Sequence, residues 1–490
     1  MSRVIVIGAG LSGLSAACHL VADGHDVTVV EREAHPGGRN GILHADGFTF
    51  DTGPTVLTMP DLLEKPLKKI GGSLDPLRLR RLDPGYRARF ADGSRIDVRA
   101  SVPAMAREIA ERVSVADADA FTGFVDWLEE LNDVEVPHFI ARNFDGPLDL
   151  LAHPAAAARL IRLGGFGRLG PTVRRRFADD RLVRLFTFQA MYAGLAPDDA
   201  LALYAVITYM DSISGVWFPA DGMHAVPRTL AAALETAGAE LRYQSPAEAI
   251  LTDAQGRVAG VRAGGEKLIA DAVVLTVDLP TAYRTLLPDL RPPRAARAGT
   301  YSPSAVVWHL GVRGGPPAEA AHHTIHFGEA WRTAFEQLIT HKELMSDPSR
   351  LVTMPTIDAP GMAPAGHSVL YVLEPVPNLT GGQDWTTEGP RLRDRLLEFL
   401  QRHGYPTDIV TEALVTPADW AAQGMAAGTP FSLAHGFAQT GPFRPPNLER
   451  RRPGVFLAGT GTTPGVGIPM VLISGELAAR RVRDYLGAPR

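Results

Sequence analysis

Val4-Ile5-Val6-Ile7-Gly8-Ala9-Gly10-Leu11-Ser12-Gly13-Leu14 decides how the chain begins to fold. The run of β-branched residues suits a parallel strand buried on both faces. Glycines spaced G-x-G-x-x-G follow at once, and Leu14 to Leu20 then reads as helix. In that order Gly8 permits the tight turn, Gly10 lets the backbone approach a pyrophosphate, and Gly13 lets helix pack closely on strand. The phosphates would sit on the helix N-terminus, where N–H groups lack partners and the dipole favours an anion. Gly24-His25 turns the chain and Asp26 to Val30 alternates as a second strand. Glu31 closes that strand about twenty residues past the glycines, where a carboxylate accepts hydrogen bonds from a ribose diol. Leu11 and Ser12, between the glycines, and Arg32, beside Glu31, belong to the same expected dinucleotide site.

Gly37-Gly38-Arg39 comes shortly after Glu31, and an NAD-binding unit has no need of this second glycine pair. With it, Val4 to Arg39 resembles the extended FAD fingerprint of the amine-oxidase and carotenoid-desaturase superfamily. The resemblance implies FAD rather than NAD, with Gly37 and Gly38 close to the diphosphate and Arg39 near the flavin.

At 490 residues the chain exceeds what one core usually organises, so two or three structural units are expected. An apolar fraction of 45% and a charged fraction of 21% describe an ordinary globular protein. A net charge of −5 offers no electrostatic case for nucleic acid. The single cysteine, Cys18, permits neither an internal disulfide nor a cysteine metal cluster and fits a reducing compartment. With only Met1-Ser2-Arg3 before the first strand no signal peptide is expected, and no apolar run reaches the length of a membrane span. The expected localisation is cytoplasmic, with attachment to a membrane surface.

Further along, Asp46 to Leu57 reads as turn, alternating strand and Gly-Pro break. Its part from Asp51 onward resembles the carotenoid desaturases, which implies that Gly53, Pro54 and Thr55 approach the flavin. Met59 to Ile70 reads as helix, and Leu77 to Val98 alternates around Asp92-Gly93, a hairpin signal. From Ser101 to about Met210 the pattern is helical and punctuated by prolines. Within it Arg162 to Phe177 carries Arg162, Arg168, Arg174, Arg175 and Arg176 among Leu, Phe and Gly, either a solvated face or a contact for anionic lipid headgroups. Pro227 to Ala237 starts a new helix. Strands follow at Glu240–Tyr243, Glu248–Thr252, Val258–Arg262 and Ala270–Thr276, the last apolar enough to rejoin the parallel sheet. The cofactor domain is therefore discontinuous, with Ala247 near the adenine. Past Arg284 the pattern is mixed, with strands at Ala305–Leu310 and Ser368–Glu374 and an amphipathic helix over Trp331–Leu344. His322, His323 and His326 lie close together, but no carboxylate or cysteine spacing completes a metal-ligand set.

Gly454 to Pro469 repeats the order strand, Gly-rich turn and helix N-terminus, with a helix over Met470 to Tyr485. A second helix dipole has a use, because hydride arriving at a flavin leaves negative charge around N1 and O2. This stretch resembles the C-terminal signature of the bacterial-type phytoene dehydrogenases at Gly454, Phe456, Leu457, Gly459, Gly461, Thr462, Pro464, Gly465, Gly467, Ile468 and Ser474. Thr460 and Thr463 depart from it. The likeness runs on through Trp217-Phe218-Pro219, His322 to Phe327, Phe431 to His435 and Phe443-Arg444-Pro445, covering nearly the whole chain. It implies that Gly459, Thr460, Gly467, Ile468, Pro469 and Met470 join the FAD site.

The fold class expected is α/β: a discontinuous Rossmann-type, three-layer FAD domain with a mixed-sheet substrate domain and a helical, membrane-contacting region. The FAD domain would take residues 1–75, 215–285 and 440–490, the substrate domain 76–100 and 286–439, and the helices 101–214. The resemblance implies an FAD-dependent desaturase that moves a hydride from a linear carotene to the flavin, with a quinone or O2 as electron acceptor. It also implies Arg142 near the reacting carbons, with Asp145 a second candidate, against a surface ion pair as the alternative. Hydroxycarotenoid desaturases, carotenoid ketolases and isomerases share much of the pattern. An amine oxidase would want paired aromatics near Thr460–Pro464, which are missing, and an escort protein would not need the intact Gly8, Gly10, Gly13 and Glu31 set.

Overall fold

In a computed structural model, which describes residues 1–487, the opening run forms β1, Arg3–Ile7, buried from Val4 onward. Helix α1, Leu11–Ala22, and strand β2, Asp26–Val30, follow as the glycine spacing predicts. β1 is flanked in parallel by β2 and by Ala272–Leu275, with Val4 opposite both Val27 and Ala272. Val455–Leu457 and Glu240–Arg242 extend this five-stranded parallel sheet at its two edges. Strands drawn from the beginning, middle and end of the chain thus form one layer, and α1 packs against the C-terminal helix Ile468–Leu486. A three-stranded antiparallel sheet, Ala247–Thr252, Val258–Ala263 and Glu266–Ile269, sits beside it.

The second large sheet has seven strands in the order Asp408–Val415, Ser304–Arg313, His367–Val376, Arg350–Thr353, His323–His326, Tyr86–Arg89 and Arg95–Val98. Its pairs are antiparallel except His323–His326 with Tyr86–Arg89, so it is mixed. Helix Trp385–Arg402 covers one face, setting Leu392, Leu396 and Leu400, one turn apart, against Val306 and Trp308. That spacing is the apolar stripe of an amphipathic helix.

Between these sheets in sequence, helices dominate from Val102 to Ile213. Ser101 and Ser114 start two of them by accepting hydrogen bonds from Ala104 N–H and Asp117 N–H at 3.3 and 3.0 Å, the usual N-cap role of serine. Phe121, Phe124, Phe177 and Phe186 stack into the centre of this region.

One expectation is revised. Trp331–Leu344 is not one helix: an α-helical turn at Trp331–Phe335 passes into a π-helical turn, Glu336–His341, which ends at Lys342 with φ 56°. Arg162–Phe177, an interrupted stretch of the helical pattern, is divided where Gly164-Gly165-Phe166-Gly167 separates helix Pro154–Arg162 from helix Leu169–Arg174. Its arginines are partly spent within the protein. Arg176 lies 4.2 Å from the Trp127 ring centroid, and Arg174 pairs with Asp198 at 2.6 Å. The three neighbouring histidines are buried on a strand and its approach: His322 bonds Asp358 at 2.8 Å, and His323 sits between the carbonyls of Gly85 and Thr55. Among the described residues, no helix is long and apolar enough to cross a membrane.

Candidate active site

Gly10, Leu11 and Ser12 open into a cavity of about 1390 Å³, more than the roughly 300–1,000 Å³ that one small ligand fills. Helix α1 begins at its wall with Gly10 as N-cap and no side-chain cap, so its first N–H groups are free for an anion. Gly13 does not line the cavity. Its task is packing: a Cβ there would meet the Gly8 carbonyl oxygen at 2.0 Å.

Glu31, at the end of β2, is buried, and its carboxylate is aimed by two backbone donors. Ala9 N–H bonds one oxygen at 2.7 Å and Glu33 N–H the other at 2.9 Å. Ala247 lies on the same wall, and Arg32 stands there too, with its guanidinium on the Gln423 carbonyl at 3.2 Å. The second glycine pair closes over the first, with Gly37 bridged to Gly10. Gly38, Arg39, Gly53, Pro54 and Thr55 continue the wall. Gly53 is required by the chain itself rather than by a ligand, since a Cβ would stand 1.8 Å from the Arg39 carbonyl oxygen.

From the other end of the chain come Gly459, Thr460, Gly467, Ile468, Pro469 and Met470. Gly467 caps the last helix with φ 111° and no side-chain bond, so a second uncapped helix N-terminus faces the cavity. Arg39 joins the two ends: it donates to Thr460 Oγ1 and, at 2.9 Å, to Asp278. Ser474 steadies the Gly-rich turn, accepting from Gly459 N–H and Asn447 Nδ2, each at 3.0 Å. Arg444, fully buried, gives its guanidinium to the carbonyls of Leu433, Gln439, Thr460 and Thr462. Of these partners, Arg444 and Ser474 lie in stretches that carry the family resemblance, Asp278 is a carboxylate just past the end of a parallel strand, where such sites gather, and Asn447 had no sequence signal.

Beyond Thr55 the cavity turns apolar, walled by Phe139, Phe188, Met210, Phe327 and Trp331. The expected catalytic pair is not on this wall. Asp145 is exposed and held by Arg450 at 2.7 Å and Arg481 at 2.8 Å, so it belongs to a surface ion cluster and does not line the cavity. Arg142 is half-buried one step behind the lining. It follows the π-helical turn Val136–Ile140, whose Phe139 and Ile140 face the cavity, and its Nη1 is buried without a partner. Two carboxyls that sequence reasoning passed over do reach the wall, Glu135 and Asp211. Burial raises Glu135 well above the carboxylate range, and pushes Asp211 up to about 7 against the hydrogen bonds of Ser212 and Gln189.

The donor set fits FAD: an aimed carboxylate for a ribose, backbone N–H groups of an uncapped helix for a diphosphate, and a second helix N-terminus for a ring that gains charge. Residues 11–483 match the family of flavin containing amine oxidoreductases. A phytoene dehydrogenase of Streptomyces griseus is 51% identical, over 98% of this chain and 95% of its own length. A zeta-carotene-forming phytoene desaturase of Myxococcus xanthus is 37% identical, over 99% and 95%. Among solved structures, an oxidoreductase from Methanosarcina mazei superposes with a TM-score of 0.65 at 17% identity, covering 97% of this chain and 99% of that one, a likeness of fold. The chain is an FAD-dependent oxidoreductase that belongs to the flavin containing amine oxidoreductase family, within its branch of phytoene dehydrogenases and desaturases.

Proposed function

We propose that this chain is a carotenoid desaturase of the phytoene type, introducing C=C bonds into a linear carotene. One observation carries the reading: a single cavity joins the dinucleotide cradle to an apolar tunnel, the space an oxidant and a long hydrocarbon need side by side. Bound FAD supplies the hydride acceptor. The protein's residues do the rest. Glu31 holds the ribose, the start of α1 the diphosphate, and the start of the last helix the ring edge where charge develops. Arg39 is fixed by Asp278 and Thr460 at the junction, and the aromatic wall excludes water from the reacting segment. Arg142 acts from behind that wall as a positioning residue, through the turn that carries Phe139 and Ile140.

In this reading residues 1–75, 215–285 and 440–490 hold the cofactor, 76–100 and 286–439 the substrate, and 101–214 the tunnel's outer wall. A quinone or O2 reoxidises the cofactor. The same chain takes its substrate from a membrane surface: Leu148, 79% exposed, and Leu151 stand on the short 3₁₀ turn Pro147–Ala152. That turn packs on Gly441–Phe443, and Phe166, Phe437 and Phe443 line the cavity while remaining exposed. An apolar rim of this kind beside exposed Arg162 suits an anionic bilayer.

Feeding phytoene, diapophytoene and hydroxylated carotenoids to the FAD-loaded protein and recording product absorption tests the activity. Phytoene should give a product of longer conjugation. Conversion of hydroxylated carotenoids alone would replace the reading with that of a later carotenoid-modifying step.

A further inference from the structure

Two π-helical turns interrupt the helical region, Val136–Ile140 and Tyr209–Ile213, and such turns recur at functional sites. Each presents a buried carboxyl to the apolar cavity, Glu135 immediately before the first and Asp211 within the second. A hydrocarbon gives neither group a hydrogen bond, so burying both is costly unless the chemistry uses one. They differ in their surroundings. Glu135 Oε1 is buried without a partner, and burial raises its carboxyl well above the ordinary range.

Asp211 is held. Its Oδ1 accepts from Ser212 Oγ at 2.6 Å and from Gln189 Nε2 at 3.3 Å. Gln189 is tied in turn to the Leu185 carbonyl and Thr208 Oγ1, each at 3.3 Å. Oδ2 is buried and has no partner. One oxygen is thus fixed by donors that favour the carboxylate, while the other is buried without a partner, on a residue that lines the apolar cavity.

Resting on the desaturase reading, we propose that Asp211 Oδ2 accepts the proton that leaves the carotene. Two C–H bonds break on adjacent carbons. With FAD bound, the hydride of one would go to the flavin, and the electron pair of the other would become the new π bond. Its proton passes to Asp211 and then follows the two electrons to the quinone or O2 that reoxidises the cofactor, so one H2 equivalent is transferred in all. The carboxyl must ionise near neutral pH to repeat this, and burial opposed by the hydrogen bonds of Ser212 and Gln189 places it at about 7. The titratable groups facing it are the phenols of Tyr86, which is buried, and Tyr192, which is 38% exposed, both shifted upward by desolvation, with Glu135 on the adjoining helix raised by burial.

The test is anaerobic flavin bleaching by phytoene in a single turnover, followed across pH, in wild type and Asp211→Asn. Wild type should bleach faster as pH rises through about 7, and an infrared carboxyl band should disappear over the same range. Asp211→Asn should keep its FAD and melting temperature, lose that band, and bleach at least about 100-fold more slowly with no pH step. Bleaching of Asp211→Asn at the wild-type rate overturns the proposal. If that variant does not fold, wild type decides alone: no band or rate step near neutral pH overturns it, and both together support it. Failure of wild type to bleach with any carotene sinks the desaturase reading instead, while the infrared titration still reports on Asp211.

Discussion

Arg39 and Asp278, 239 residues apart, meet at 2.9 Å, and Arg39 also reaches Thr460 Oγ1. The pair therefore ties the second glycine pair to the C-terminal Gly-rich turn. Burial acts to raise the Asp278 carboxyl and Arg39 to lower it, and burial wins. An ion pair in that balance positions more than it stabilises. Asp278→Ala should weaken FAD binding about tenfold, equal to about 1.4 kcal/mol, measured by titrating apoprotein with FAD. Unchanged affinity would mean that Arg39 finds its place without Asp278.

Glu31 offers a second measure of the cofactor cradle. Its carboxylate is pinned by Ala9 and Glu33 N–H, so removing it leaves two backbone donors unpaired and, in the proposed reading, strips the ribose of its acceptor. Glu31→Ala should elute from gel filtration with most of its FAD lost, while Glu31→Gln, which still accepts one bond, should retain more. Full occupancy in Glu31→Ala after dilution would remove Glu31 from the site.

Glu476 gives a pH dependence. Burial pushes its carboxyl up, but Lys65 and Arg480, with His19 nearby, hold it down at about 2. A folded value below the unfolded one stabilises the protein above the ordinary carboxylate range, and that stability is lost as pH falls toward 2. Because Lys65 is 45% exposed, solvent screening reduces the effect to about 1–3 kcal/mol. Urea midpoints should show Glu476→Gln less stable than wild type at neutral pH, with the gap closing on acidification. A gap that stays constant down to low pH contradicts the assignment.

Arg142 and Asp145 should separate cleanly. Asp145→Asn loosens a surface cluster with Arg450 and Arg481 and should change stability by no more than about 1 kcal/mol, with turnover as in wild type. Arg142→Ala should leave FAD bound yet lower turnover at saturating substrate more than it raises the substrate requirement. An unmodified rate in Arg142→Ala would make that residue purely structural.

Local geometry is what the sequence by itself determined. A β-branched run before G-x-G-x-x-G can only turn, expose N–H groups and pack a helix closely, so β1, α1, β2 and the role of Gly13 were legible, as were the Asp92-Gly93 hairpin and the return of Ala272–Leu275 to the parallel sheet. Periodicity also shows where an element runs, though not where it breaks: the π-helical turn after Phe335 was hidden because its residues keep an amphipathic pattern. The convergence of distant groups was decided by tertiary structure alone. Arg444 meets carbonyls that no pattern marks, and Asp145 and Asp211 are equally acidic on paper. Packing sends one to the surface between two arginines and buries the other, with one bare oxygen, in the wall of an apolar cavity. Water reaches the first and not the second, and that difference sets what each carboxyl does.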